Sequence, residues 1–330
     1  MRQLEHQLRL TRAVLRRSWA RLSRIDPELG APARVVIRLD EADLPGSLGD
    51  GEPLQPKDYD QALAQAVQWL GPVEVTVLAT HSGDHGCLPG IVRFAHRLEC
   101  PTLVVTDGAG IDRDRAEVLL DCGLSHVRVL VGGVSDEVHR AVVGNAGIEA
   151  TSAVQHLVAA KRARGAALDI EVAVPWVGPV TEEIRAVMGW AKQIGADGFR
   201  IMAPYKAAGM PANPELLDDV VDAADAFGRT SAAAVDEIHA MVAAQDGQPG
   251  LQRQDSPGRR RRWKCPVGGQ RLVLTSTGRI HACPFKAPIG QWSGDLRAVF
   301  AGAGDHLSEI RSCGRACAHL ELAPEPVWGR

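Results

Sequence analysis

Four cysteines in the last quarter of the sequence are the residues whose type and spacing most clearly suit chemistry. They are spaced C-x17-C-x29-C-x3-C, with a glycine, Gly278, five residues before the second; the four are Cys265, Cys283, Cys313 and Cys317. Thiolates arranged with two close together and two brought in from a hairpin form a four-sulfur cage. Such a cage binds either Zn²⁺ or an iron–sulfur cluster. The spacing fits both metals.

A second group of candidates follows a predicted strand, at His81, Asp84 and His85. In a parallel barrel, the carboxyl ends of the strands form the active-site face. Histidines and carboxylates there, together with Asp40 and Asp107, could form an acid/base pair or a divalent-metal site. The alternative is a polar rim without a catalytic role, since H-x2-D-H is not a specific metal signature.

The elements that position these residues alternate between strand and helix. β-branched runs predict strands at Arg34–Leu39, Val73–Ala79, Thr102–Thr106, His126–Val131, Asp169–Val174 and Gly198–Met202. Helical patterns lie between them at Tyr59–Leu70, Leu88–Leu98, Arg113–Asp121, Ser135–Val143, Thr151–Arg164 and Thr181–Ile194. Alternation of this kind indicates a parallel sheet. Six units predict an α/β fold, a partial TIM-like (β/α)6 barrel, followed by a small cysteine-rich domain built on a hairpin at residues 271–282.

Composition shifts divide the chain into four parts. Residues 1–30 have the pattern of an amphipathic helix, which either packs across the barrel bottom or docks a partner. The barrel spans residues 31–228. Residues 229–262 add a helix and a linker that ends in four arginines, either solvated or able to bind an acidic peptide or nucleic acid. The cysteine-rich part spans residues 263–330.

Composition also bounds the class of protein. The chain has 330 residues and a net charge of −3, so no global field favours nucleic acid or a membrane. No apolar run approaches membrane-spanning length, and the arginine-rich N-terminus does not have the pattern of a secretory signal. We therefore expect a cytoplasmic protein. Seven cysteines in that compartment are better explained by metal ligation than by disulfides.

Several segments together resemble the radical SAM superfamily with a C-terminal auxiliary domain of the SPASM/twitch kind. Thr76–Leu88 (TVLATHSGDHGCL) stands where that family has a strand followed by G-G-E-P-L, and Leu103–Gly110 (LVVTDGAG) resembles the strand ending in T-N-G. Leu119–Val131 and Ala191–Phe199 resemble the segments that enter the fourth and sixth strands. Cys265–Cys283 fits C-x(9–15)-G-x4-C, which opens the SPASM/twitch motif.

The resemblance implies a cofactor set. A SPASM domain commonly supplies seven cysteines for two clusters, and a twitch domain supplies four for one. Four clustered cysteines therefore resemble twitch more closely, which implies one auxiliary [4Fe–4S] cluster at Cys265, Cys283, Cys313 and Cys317, with zinc as the alternative. The final C-x3-C departs from the commoner C-x2-C.

The first barrel loop departs from the family at the residues that matter most. Radical SAM enzymes bind a [4Fe–4S] cluster through C-x3-C-x2-C after the first strand, because three thiolates leave one iron open for S-adenosylmethionine. The corresponding segment, Asp40–Leu54, contains no cysteine and no histidine. G-G-E becomes Ser82-Gly83-Asp84 and the asparagine of T-N-G becomes Asp107. These altered positions make S-adenosylmethionine a doubtful ligand.

Our interpretation is a radical SAM-like iron–sulfur protein that has lost the S-adenosylmethionine-cleaving cluster. It would act as a partner, scaffold or electron-transfer component in peptide or natural-product maturation. Its partner would be an active radical SAM enzyme or a peptide substrate. Two alternatives stay open: an enzyme using non-radical chemistry at His81, Asp84 and His85, and an atypical radical SAM enzyme.

Overall fold

The structure is a computed structural model. It describes residues 34–39, 52–71, 73–80, 86–143, 147–175, 183–202, 271–283 and 287–304. The predicted N-terminal helix, the loop residues 81–85, the linker with its arginines, and Cys265, Cys313 and Cys317 lie outside these residues. No helix in the described part is long and apolar enough to cross a membrane.

Six parallel strands in sequential order form the centre of the molecule. They are β1 (Arg34–Arg38), β2 (Glu74–Ala79), β3 (Thr102–Thr106), β4 (His126–Leu130), β5 (Asp169–Pro175) and β6 (Gly198–Met202). Each strand pairs with the next in parallel register. This confirms the predicted (β/α)6 architecture, because parallel neighbours require a crossover segment between them.

Helices connect these strands. They are α1 (Pro56–Leu70), α2 (Leu88–Arg97), α3 (Arg113–Asp121), α4 (Asp136–Val143), α5 (Gly147–Arg164) and α6 (Ile184–Ile194). Their apolar faces pack with one face of the sheet in a single core that includes Leu63, Ile91, Leu119, Leu157 and Val187. Helix α5 begins four residues earlier than the sequence predicted, and α6 begins three later.

The two faces of the sheet differ sharply in polarity. Residues such as Val75, Val77, Val127, Val129 and Ile170 belong to the helix-packed core. Because side chains alternate along a strand, their neighbours lie on the opposite, inner face. That face carries most of the buried charged residues of the strands, including Arg34, Arg38, Glu171 and Arg271.

A hairpin extends the same sheet beyond β1. Strands β7 (Arg271–Leu274) and β8 (Arg279–His281) are antiparallel, as predicted, and a short β9 (Gly290–Gln291) follows. Gly278 ends the turn at φ +80°, in the left-handed region that favours glycine. Strand β7 pairs in parallel with β1, an arrangement that the sequence did not predict. The hairpin is therefore continuous with the barrel sheet.

Helix α1 also holds the segment that follows the hairpin. Gln65 Nε2 donates to Gly294 O at 2.5 Å, and Gln65 Oε1 accepts from Leu296 N at 2.8 Å. This places the start of α7 (Leu296–Ala301) against α1, where Trp69 and Phe300 meet edge to face with ring centroids 5.4 Å apart. The polar and aromatic contacts together fix this segment on the barrel.

Candidate functional site

The carboxyl end of β3 carries the first predicted site residue that the structure describes. Asp107 is buried, with 1% of its surface exposed, and its Oδ1 accepts a hydrogen bond from Ala109 N at 3.1 Å. Gly108 N donates to Thr106 Oγ1 at 3.0 Å. Gly108 has φ +85°, and a Cβ there would overlap the α5 backbone at Ala150. This T-D-G segment is therefore held by its own turn and by α5.

The carboxyl end of β4 is built around a half-buried carboxylate that sequence reasoning missed. Glu183 accepts from Ser135 Oγ at 2.5 Å and from Ser135 N at 3.0 Å. Burial raises the pKa of Glu183, but these hydrogen bonds and one from the Val134 backbone outweigh it, so the pKa lies below its ordinary value. A Cβ at Gly133 would overlap Glu183 Oε2.

The backbone N–H of the neighbouring glycine, Gly132, also forms a hydrogen bond within the protein. Gly132 N donates to Nδ1 of the fully buried His139 at 3.0 Å. A pair of glycines after a strand could let a phosphate approach the backbone. A carboxylate beside Gly133 argues against an anion at that point, since like charges repel. The two glycines instead allow the side chains of His139 and Glu183 to approach the backbone closely.

The other predicted residues of the barrel mouth lie outside the described residues. These are His81, Ser82, Gly83, Asp84 and His85, and with them Asp40. Their predicted roles as catalytic or S-adenosylmethionine-contacting residues stay predictions. Among the described residues, no group of three or more histidine, cysteine, aspartate and glutamate side chains is placed to hold a metal ion.

Cys283 is the one predicted metal ligand that the structure describes. It follows β8 by two residues and is buried, with 8% of its surface exposed. The turn of its hairpin contacts the end of the cysteine-free loop, because Leu54 N donates to Ser276 O at 2.6 Å. The hairpin that carries Cys283 is thus joined both to β1 and to Leu54, the last residue of the cysteine-free segment.

The remaining described cysteines have other surroundings. Cys100 and Cys122 are buried at helix ends, and Arg93 Nη2 donates to Cys122 Sγ at 3.3 Å. Burial raises the pKa of Cys87 above its ordinary value, which keeps the thiol protonated. All four described cysteines are thiols rather than disulfides.

The inner face of the sheet contains an ion-pair network that the sequence analysis missed. Glu171 on β5 accepts from Arg128 Nε on β4 at 2.5 Å and from Arg200 Nε on β6 at 2.9 Å. His126 lies beside it, with Nε2 3.8 Å from Glu171 Oε2 and Nδ1 3.5 Å from Asp169 Oδ2. Three adjacent strands thus meet at one carboxylate.

Glu171 is ionised in this network. Burial alone would raise its pKa, but Arg128, His126 and Arg200 outweigh that effect and hold the pKa of Glu171 well below its usual range. The signal for this network is present in the sequence, because His-Val-Arg, Asp-Ile-Glu and Gly-Phe-Arg alternate polar and apolar residues. Fully buried parallel strands are expected to be continuously apolar, so this alternation indicates a polar inner face.

Solved structures with the same architecture identify the fold. SuiB from Streptococcus suis bound to S-adenosylmethionine matches with a TM-score of 0.62 and 13% identity, covering 89% of this chain and 70% of that one. Native anSMEcpe with bound AdoMet matches with a TM-score of 0.57 and 11% identity, covering 86% and 84%. Both are radical SAM enzymes. The chain has the radical SAM fold.

A third solved structure with a similar fold is a complex with a peptide. SuiB bound to the precursor peptide SuiA matches with a TM-score of 0.63 and 13% identity, covering 86% of this chain and 67% of that one. No protein-family profile matches the chain, and no curated protein matches it in sequence. The radical SAM fold is therefore established from structure, and function has to be argued from the residues.

Proposed function

We propose that this chain is a radical SAM-type protein that does not cleave S-adenosylmethionine and that acts as a peptide-binding partner in peptide maturation. One observation carries the proposal: a radical SAM fold whose first barrel loop, Asp40–Leu54, contains no cysteine. Reductive cleavage of S-adenosylmethionine requires an iron with an open coordination position. A loop without thiolates or imidazoles does not supply the ligands that leave such a position.

No thiol near the barrel mouth offers a substitute in the described residues. Cys87 is a single thiol, and its pKa is raised by burial, which disfavours the thiolate that binds iron. The other positions at which the family contacts S-adenosylmethionine are also changed, and Asp107 is engaged in its own turn. These features together favour loss of the cleavage reaction.

We further propose that the C-terminal part retains one auxiliary cluster. The buried position of Cys283 on a hairpin continuous with the sheet fits a cluster ligand, because a buried thiolate needs a metal cation to offset its charge. Cys265, Cys313 and Cys317 would complete the set. A [4Fe–4S] cluster held by four thiolates supplies electron transfer or structural support, with no open position for substrate.

The proposed role as a peptide-binding partner is supported by the structural neighbours. SuiB has been crystallised with a precursor peptide and anSMEcpe with AdoMet and a peptide. A chain that keeps this fold while losing the cleavage site keeps the means to bind a peptide and lacks the means to activate it. An active enzyme would then supply the radical chemistry.

Anaerobic reconstitution followed by iron and sulfide analysis tests the cluster. We expect about four irons and four sulfides per chain, since four thiolates complete one cubane. Cys283→Ala should lose most of this metal, whereas Cys100→Ala, which also replaces a buried thiol, should retain it. One equivalent of zinc without sulfide would instead indicate a structural zinc site.

A further inference from the structure

The C-terminal segment, residues 271–283 and 287–304, contacts both elements that flank the cysteine-free segment Asp40–Leu54. On one side, its strand β7 pairs in parallel with β1. Leu274 of β7 and Ile37 of β1 are directly paired, and both belong to the core that the helices cover. The strand that leads into the cysteine-free segment is therefore held by the C-terminal hairpin.

On the other side, the turn of the same hairpin holds Leu54. Leu54 N donates to Ser276 O at 2.6 Å, and Leu54 Cδ2 lies 3.1 Å from the point that a Cβ at Gly278 would occupy. Trp292 N donates to Gly278 O at 2.7 Å and supports the turn from behind. Leu54 precedes Gln55, the N-cap of α1, and an apolar residue at that position fixes the angle at which the chain enters a helix. The hairpin turn therefore sets how α1 begins.

The C-terminal segment continues along one face of α1. Gln61 and Gln65 both donate through Nε2 to Gly294 O, at 3.2 and 2.5 Å, and the Trp69 ring meets Phe300 edge to face. These three α1 residues are four apart, so they lie on the same side of the helix. Both neighbours of the cysteine-free segment, β1 before it and α1 after it, are thus fixed to the C-terminal segment.

Cys283 lies at the other end of this hairpin from the turn. Strand β8 runs antiparallel to β7, with His281 opposite Val273, and Cys283 follows β8 by two residues. A metal bound through Cys283 restrains the hairpin, because metal ligation contributes free energy to the folding of the segment that supplies the ligands. The restrained hairpin is the one that pairs with β1 and holds Leu54.

We propose that the metal state of the cysteine array controls the two elements that flank the cysteine-free segment. With metal bound at Cys283, the hairpin keeps β1 and Leu54 in place, and loss of the metal releases both. The proposal rests on the C-terminal metal site of the proposed function and adds a regulatory role to it. Leu54 lies on the carboxyl-end side of the sheet, because the turn that holds it follows β7, which is parallel to β1. This is the active-site face of parallel barrels.

Hydrogen–deuterium exchange of the full-length, anaerobically reconstituted protein, before and after chelation of its metal, tests this coupling. Leu54 is a direct reporter, because its amide donates to Ser276 O. We expect the amides of β1 and of residues 52–58 to exchange about tenfold faster without metal, which is within the usual range of coupling between two sites. Strands β4 and β5, which lie beyond β2 and β3 in the sheet, are the internal control and should change by less than about twofold.

A variant in the turn separates the coupling from metal binding itself. In Gly278→Ala, the new methyl group would crowd Leu54 and Gln291 at φ +80°, a backbone angle that favours glycine. We expect this variant to retain its metal and to exchange at Leu54 about tenfold faster, and chelation should then add little. Gly165→Ala is the matched control, since it also has a positive φ, +57°, but nothing within 4 Å of the new methyl group. It should leave exchange at Leu54 unchanged.

Unchanged exchange in β1 and at Leu54 after chelation would overturn the coupling. Equal acceleration in every strand would also overturn it, because that pattern indicates global unfolding. Iron, zinc and sulfide analysis of the same samples separates this failure from a failure of the proposed function. Metal that binds without changing exchange leaves the C-terminal metal site standing and refutes the coupling alone, whereas a reconstituted protein that binds no metal refutes both.

Discussion

Replacing Glu171 with glutamine removes the charge at the centre of the inner-face network. The Glu171 side chain is 8% exposed and holds Arg128 and Arg200 through Nε hydrogen bonds of 2.5 and 2.9 Å. Glutamine would turn an amide NH₂ toward one guanidinium and remove the negative charge that Arg128 and Arg200 share. Breaking a buried ion pair from one side costs about 3–5 kcal/mol. That loss is a large part of the roughly 5–15 kcal/mol that stabilises a typical domain.

Urea denaturation at pH 7, followed by circular dichroism, measures the loss. The matched control is Glu117→Gln, which removes an exposed carboxylate that pairs with Arg113 and Arg164. Because that pair is on the surface, the control should unfold close to wild type. A Glu171→Gln protein that unfolds within about 1 kcal/mol of wild type would refute the network as a source of stability.

The same pair of proteins has a pH signature. The pKa of Glu171 is lowered in the folded state, so its contribution is complete above the unfolded-state pKa, about 4.3. It is lost as the pH falls through the lower folded-state pKa. The gap in stability between wild type and Glu171→Gln should therefore be constant near neutrality and shrink in acid. A gap that widens as the pH falls would contradict the ionised assignment.

Two further predictions concern the loops and the hairpin. Gly133→Ala should destabilise the protein by about 1–3 kcal/mol in thermal or urea unfolding, because the new methyl group would displace Glu183. Gly189→Ala, in open space on α6, should instead stabilise it by about 0.5–1 kcal/mol; equal effects would contradict the account. Gln65→Ala should cost about 1–3 kcal/mol and speed hydrogen exchange in α7, since it leaves Leu296 N unpaired and removes one of the two side-chain hydrogen bonds to Gly294 O. Gln61→Ala removes one exposed hydrogen bond, so it should destabilise the protein and speed hydrogen exchange in α7 less than Gln65→Ala does. Equal hydrogen exchange in the two variants would contradict the role of Gln65 in holding α7 on α1.

The barrel was predictable from sequence because its signals are local. β-branched strands with helical patterns between them predicted six strands and six helices, and all are present with ends shifted by at most four residues. Gly278 and its neighbours likewise predicted the hairpin. The parallel pairing of β7 with β1 was not predictable, because more than 200 residues separate the two strands and nothing local encodes which edge a hairpin joins.

The ion-pair network on the inner face was missed for a different reason. β-branched residues predict these strands, but charged residues within them, such as Arg128 and Glu171, indicate a polar face only when each strand is divided into its two faces. Alternation in β4, β5 and β6 contained that information. The partners of Glu183 could not be predicted at all, since contact between α6 and the loop after β4 depends on tertiary packing at two glycines.

The central claim is that this radical SAM fold no longer cleaves S-adenosylmethionine. The most direct test is to incubate the anaerobically reconstituted, full-length protein with S-adenosylmethionine and dithionite and to quantify 5′-deoxyadenosine by chromatography. We predict no 5′-deoxyadenosine above the level in a protein-free control, because Asp40–Leu54 contains no cysteine to hold an open-site cluster. Protein-dependent formation of 5′-deoxyadenosine over several turnovers would contradict the claim.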